Sequence, residues 1–185
     1  MTPLVLSLKP HYAEMLFMGV KTIELRRRFA TGLEGREVFV YVSSPVQKIW
    51  GGFRVDEVWS GTPEDVWGRV EARAGVERTE YDAYYSGSGV AHALHVSHVW
   101  EHGAPVALGA IRDELPEFRP PQSWRYAKGR ELIWFEEFKR EAQPIPGSFP
   151  IDFLLVSEEC SDSRQIGRRG GNAPHALDED VGQAV

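Results

Sequence analysis

One cysteine is all that the 185 residues carry, and Cys160 alone can form neither an intramolecular disulfide nor a multi-cysteine metal site. That scarcity suits a reducing compartment, and the expected location is cytoplasmic. No apolar run approaches the roughly 18 residues of a membrane span, so no membrane partner is expected. The opening Met1-Thr2-Pro3-Leu4-Val5-Leu6-Ser7 lacks a basic region and a small-residue cleavage site, and reads as a strand rather than a secretion signal. Phosphate-binding glycine loops, dinucleotide fingerprints and nucleophile elbows are absent, so no cofactor is expected. The chain also lacks overall positive charge: its formal net charge is −6.

The distribution of that charge matters more than its sum. Residues 1–36 hold six cations (Lys9, Lys21, Arg26, Arg27, Arg28, Arg36) against Glu14, Glu24 and Glu34, a local +3. Residues 157–185 hold three arginines against six acids, a local −3, which leaves −6 for the middle. Exposed charges are screened beyond about 8–10 Å, so a basic stretch on an acidic protein still attracts phosphate, with modest and salt-sensitive affinity. With 42% hydrophobic and 11% aromatic residues, the chain can bury one core.

Strands are predicted over 4–8, 22–28, 37–43, 49–59, 90–100 and 149–156, with Gly51-Gly52 marking a bulge or a close approach. Helices are predicted to start at Pro10 and stop at Gly19, to start at Thr62-Pro63-Glu64-Asp65, to start at Thr79 and stop at Gly87, and to span Arg130 to Arg140 with Leu132, Phe135 and Phe138 on one side. Several strands with short helices between them predict an α+β fold, a small mixed β-barrel with short peripheral helices. The domain is expected to cover 1–156. Residues 157–185, rich in Ser, Gly and charge, form a polar tail expected to be disordered.

The segment from Gly19 to Arg28 is the most informative. Strand alternation sends Ile23 and Leu25 to one face, and Thr22, Glu24, Arg26 and Arg28 to the other. The second face is too polar for a core and reads as one wall of a charged cleft. Arg27 falls with the apolar parity and reads as surface. Guanidinium forks on such a wall suit phosphates and base edges.

Four blocks together resemble the ASCH domains (activating-signal-cointegrator homology) of the PUA-like superfamily: LSLKPHYAEMLFMGVKTIELRRR, VFVYVSSPVQKIWGGFRV, YYSGSGVAHALHVSHVW and FRPPQSWRY. They span roughly residues 4–127, and the spacing G-x-K-x-x-E-x-R is specific in combination with the other blocks and weak alone. The resemblance implies a PUA-like barrel whose partner is RNA, a single-stranded nucleic acid or a modified nucleoside. It implies Lys21, Glu24 and Arg26 as pocket residues. Some small members of the family that this chain resembles are amidohydrolases acting on N4-acetylcytidine through a lysine, a threonine and a glutamate, and others are described as nucleases. Lys21 matches that pattern, and Glu24 stands where the threonine is expected.

On these grounds the candidate ligand-binding residues are Lys9, Lys21, Thr22, Glu24, Arg26, Arg28, Ser43, Ser44, Tyr85, Trp124 and Tyr126, with Lys21 and Glu24 catalytic if the protein is an enzyme. Tyr85, Trp124 and Tyr126 are the aromatics best placed to stack on bases, ahead of Trp50 and Tyr84. Trp59, Trp67, Trp100 and Trp134 read as core. His92, His95, His98 and His102 do not share a strand face, so no metal site is expected. RNA or modified-nucleoside binding in the charged cleft leads. An amidohydrolase or ribonuclease on the same cleft follows, and a protein-interaction module of a regulatory complex is the third reading. The oligomeric state is left open.

Overall fold

A computed structural model of the chain describes residues 1–147. The predicted strand over 149–156 and the polar tail lie outside the described residues.

Strand β1 (Leu4–Leu8) leads into helix α1 (Pro10–Phe17), which has proline in its first turn, where the missing amide costs nothing. The charged strand β2 covers Ile23–Arg26, shorter at each end than the alternation suggested. Strand β3 (Glu37–Val42) and strand β4 (Lys48–Gly61) follow. Thr62 caps helix α2 (Pro63–Val70) by accepting from the Asp65 amide at 3.2 Å. Helix α3 (Arg78–Tyr85) begins one residue before the predicted Thr79, with Glu77 as its N-cap. Strand β5 (Ala91–Ala107) runs well past Trp100, because its distal half pairs with the start of β4, Lys48 lying opposite Ala107. Helix α4 (Leu108–Glu114), strand β6 (Trp124–Tyr126), helix α5 (Glu131–Arg140) and strand β7 (Ala142–Pro144) complete the described elements.

The strands form one mixed sheet in the order β2-β5-β4-β3-β1-β6, with β7 added on β5. β1 and β3 pair in parallel, and the other pairs are antiparallel. The sheet curls into a half-barrel, an α+β architecture of the class the sequence predicts. Leu4, Leu6, Val38, Val40, Phe53, Leu94 and Val96 fill its interior. Phe39, Trp100, Ile111, Phe135 and Phe138 form a second cluster with α4 and α5. Ile23, Leu25, Val70, Tyr81, Tyr85 and Ala93 form a third with α2 and α3. On α5 the buried residues are Glu131, Phe135 and Phe138, while Leu132 faces outward, because Glu131 is held by Arg125 on β6 through a two-pronged ion pair at 2.7 and 2.8 Å.

The Gly51-Gly52 pair is a close approach as well as a register shift. A Cβ on Gly52 would fall 2.1 Å from the Val38 carbonyl oxygen, and one on Gly51 would fall 2.2 Å from that of Trp100. Only glycine lets β4 bend this tightly between its two neighbours.

Candidate functional site

β2 and β6 are the two ends of the strand path, and among the described residues no backbone ladder joins β2 to β1 or β6. Side chains bridge this seam. Arg26 Nη2 donates to the Ser7 carbonyl at 2.9 Å, Arg26 Nη1 donates to Ser123 Oγ at 3.2 Å, and Trp124 Nε1 donates to the Arg28 carbonyl at 2.8 Å. A cleft of about 700 Å³ opens along the seam, walled by β2, the start of α1, α3 and the 121–123 loop.

The alternation that sends Ile23 and Leu25 to the helical cluster turns Glu24 and Arg26 into this cleft. Lys21 joins them from the turn before β2. The three side chains are almost fully buried, at 2% exposure for Lys21, 4% for Glu24 and 7% for Arg26. Glu24 accepts from Arg26 Nη2 at 2.7 Å, and its other oxygen lies 3.5 Å from Lys21 Nζ. Two cations and one anion give the triad a formal charge of +1, and with Lys9 and Glu80 also on the lining the cleft as a whole carries a net +1. Arg26 Nε is buried with no partner among the described residues.

Lys21 is committed in every direction. Its ammonium donates to the Ile23 carbonyl at 2.6 Å and to the Ala74 carbonyl at 2.7 Å, and its third proton faces Glu24. Burial lowers its pKa, and the Glu24 carboxylate opposes that shift. Three acceptors around three protons favour the ammonium form. Gly75, at φ +65°, makes the approach of Ala74 feasible: a Cβ there would sit 2.7 Å from Met15 Cε and 3.4 Å from Lys21 Cβ. Lys21 therefore pins the turn between α2 and α3 to β2 and fixes Glu24.

The mouth is aromatic and acidic on one side and basic on the other. Tyr12 on α1 hydrogen-bonds Glu80 on α3 across the opening, and the Lys21 ammonium lies 5.6 Å from the Tyr12 ring centre. Burial, and then Glu80, push the Tyr12 hydroxyl pKa up, so its proton stays on oxygen. Tyr41 also lines the cleft, its hydroxyl pKa raised by burial. Lys9 and Ser43 stand at the rim with Ser123.

Of the sequence-predicted residues, the cleft gathers Lys9, Lys21, Glu24, Arg26 and Ser43. The others lie elsewhere. The Thr22 amide donates to the Arg73 carbonyl and its carbonyl accepts from Val96, behind β2. Arg28 is exposed and offers its carbonyl to Trp124. Ser44 is exposed in the turn before the cis-linked Pro45. Tyr85 is buried in the α2–α3 cluster, Trp124 packs on Phe29 at 4.9 Å, and Tyr126 lies 5.5 Å beneath the Arg36 guanidinium. Tyr12, Tyr41, Glu80 and Ser123 line the cleft without having been singled out, although Ser123 sits inside the FRPPQSWRY block. The histidines engage separate partners: His92 with Ser60 at 2.8 Å, His95 near Asp56 at 3.6 Å, and His98 with Arg54 at 2.9 Å.

No family model matches the chain. Among characterised proteins, an ASCH domain-containing ribonuclease of Zymomonas mobilis subsp. mobilis is 26% identical over 129 residues, which cover 69% of this chain and 85% of that protein. The large ribosomal subunit protein uL22 of Ureaplasma parvum serovar 3 is 27% identical over 125 residues, covering 68% of this chain and 39% of that longer protein. Among solved structures, the crystal structure of ASCH from Zymomonas mobilis superposes with a TM-score of 0.67 at 24% identity, covering 74% of this chain and 94% of that one. A serine-to-alanine variant of the same protein gives 0.68. At these identities the structural likeness speaks to the fold.

Proposed function

We propose, from the premise that this chain carries an ASCH domain, that its seam cleft binds single-stranded RNA through the phosphate backbone. The carrying observation is the buried Lys21–Glu24–Arg26 triad, whose surplus positive charge lies at the floor of an open cleft. Charge away from bulk water is weakly screened and attracts an anion more strongly than a surface lysine does. Lys9 adds a second cation at the rim, and the volume falls in the range of sites that enclose a small ligand, about 300–1,000 Å³. One or two nucleotides of a single strand fit such a cleft, and a duplex does not. The test is fluorescence anisotropy with short labelled RNA over a salt series. Wild-type protein binds at low salt and weakens as salt rises. Lys9→Ala weakens binding and lowers the salt slope by about one. Absence of binding at low salt refutes the proposal.

The relative's name favours a second reading, in which the bound strand is also cut. Attack by a ribose 2′-hydroxyl on the adjacent phosphorus forms a 2′,3′-cyclic phosphate and expels the 5′-oxygen of the next nucleotide, which takes up a proton. It needs a base in the cleft for the 2′-hydroxyl proton and positive charge near the phosphate. Glu80 is the carboxylate at the mouth, Arg26 and Lys9 are the cations, and Lys21, with all its protons held, positions Glu24. Cleavage of RNA in the presence of a chelator supports this reading. Binding without cleavage leaves the first reading alone. A modified nucleoside such as N4-acetylcytidine enters the same assay as a competitor.

A further inference from the structure

Three adjacent arginines follow Glu24, and the cleft floor uses only the first. Arg27 points to the helical side of β2. There its Nε donates to the Tyr84 carbonyl, and its guanidinium lies over the Tyr84 ring, 4.9 Å from the centre. The three tyrosines of α3 have divided roles. Tyr81 is buried and its hydroxyl donates to the Pro63 carbonyl at 2.8 Å. Tyr85 is buried and its hydroxyl donates to the Arg26 carbonyl at 3.3 Å. Tyr84 is 39% exposed, lines the cleft, and meets Tyr85 edge to face at 4.8 Å. Its hydroxyl has no hydrogen-bond partner among the described residues. Neither burial nor hydrogen bonding by its own side chain accounts for an aromatic ring at this position.

We infer that Tyr84, braced by Arg27, is a stacking platform for one unpaired nucleobase of the strand whose phosphates the cleft floor holds; the inference rests on the RNA-binding reading above. Every base has a π-face, so a ring at the mouth of a phosphate site grips a single strand without reading its sequence. The bracing matters because a ring already fixed by a guanidinium and by Tyr85 loses little freedom when a base settles on its exposed side. Glu80 and Tyr84 lie one turn apart on the same face of α3, about 6 Å along its axis. A base on Tyr84 is thereby set to one side of the Tyr12–Glu80 bridge, with its phosphate free to reach toward Arg26. The platform selects single strands over duplexes, whose bases are already stacked and paired.

The experiment measures anisotropy of a short labelled single-stranded RNA carrying 2′-fluoro riboses, so that cleavage cannot intervene, and of a strand of equal length that lacks its bases. Tyr84→Ala weakens binding of the base-bearing strand by about 5- to 150-fold, the range for one stacked base. It leaves the abasic strand unaffected and the salt slope unchanged. Tyr84→Phe restores the lost affinity, because the ring and not the hydroxyl makes the contact. Arg27→Ala gives a smaller loss with the same dependence on bases. Equal binding by wild type and Tyr84→Ala overturns the platform while the cleft reading stands, and so does an equal loss with the abasic strand. Failure of wild-type protein to bind either strand overturns both.

Discussion

Lys21→Met separates a positioning lysine from a reacting one. Methionine keeps much of the apolar stem that packs in the turn and removes three donors. The Ile23 and Ala74 carbonyls, now bonded at 2.6 and 2.7 Å, are left buried without partners. Each unsatisfied acceptor costs about 1–3 kcal/mol. Glu24 keeps Arg26 at 2.7 Å, so no buried charge is orphaned. The substitution also relieves the desolvation of a buried ammonium, which offsets part of the loss. The balance is a destabilisation of about 2–4 kcal/mol, or a fall in melting temperature of about 4–16 °C for a chain of this size. Thermal unfolding followed by circular dichroism measures it. RNA affinity of the folded fraction falls as well, because the triad becomes neutral. A variant that melts within about 2 °C of wild type yet loses all cleavage would refute the positioning role and restore Lys21 as a reacting group.

Glu131→Ala should lower stability by about 3 kcal/mol, at the low end for breaking a buried ion pair because Arg125 retains some access to water. A urea midpoint that shifts with an unchanged slope is the expected signature. His95 supplies a pH dependence. Burial first, and then the nearby Arg73 charge, lower its pKa, while Asp56 and Glu57 oppose. The unfolded chain therefore binds the proton more readily. This contribution to stability is full above the unfolded value of about 6.5 and is lost as pH falls toward the folded one. The urea midpoint should drop between about pH 7.5 and pH 5.5, and His95→Gln should flatten that drop. An unchanged slope in the variant would assign the dependence to other groups.

The period-two pattern across Ile23 to Arg26 was legible because each face of that strand is uniform: helices bury one side, and the seam takes the other. Thr22 shares the parity of Glu24 but precedes the strand, so parity had no hold on it. The cleft's second wall was not legible. The apolar spacing of Tyr81 and Tyr85 says which side of α3 packs, but nothing local says that Glu80 and Tyr84 look across at Tyr12 on α1. That meeting joins residues 68 positions apart. The distal part of β5 was missed because His102-Gly103-Ala104-Pro105 has turn composition, and pairing with β4 and β7 overrode it. The burial of Glu131 in place of Leu132 on α5 was not legible, since its partner Arg125 comes from a strand formed only against β1.

A barrel closed by a ladder opens only when the sheet unravels. Here, among the described residues, the two ends of the sheet meet through three side-chain hydrogen bonds, two of them from Arg26. Such a closure can yield locally at a free energy well below that of global unfolding, so the amides of β2 and the 121–123 loop should exchange with solvent sooner than those of β3 and β4. The residue that latches the domain is also the one that presents positive charge to the cleft. An anion that reaches the Arg26 guanidinium from the cleft therefore acts on the latch as well, and ligand occupancy and the breathing of the domain become one linked equilibrium.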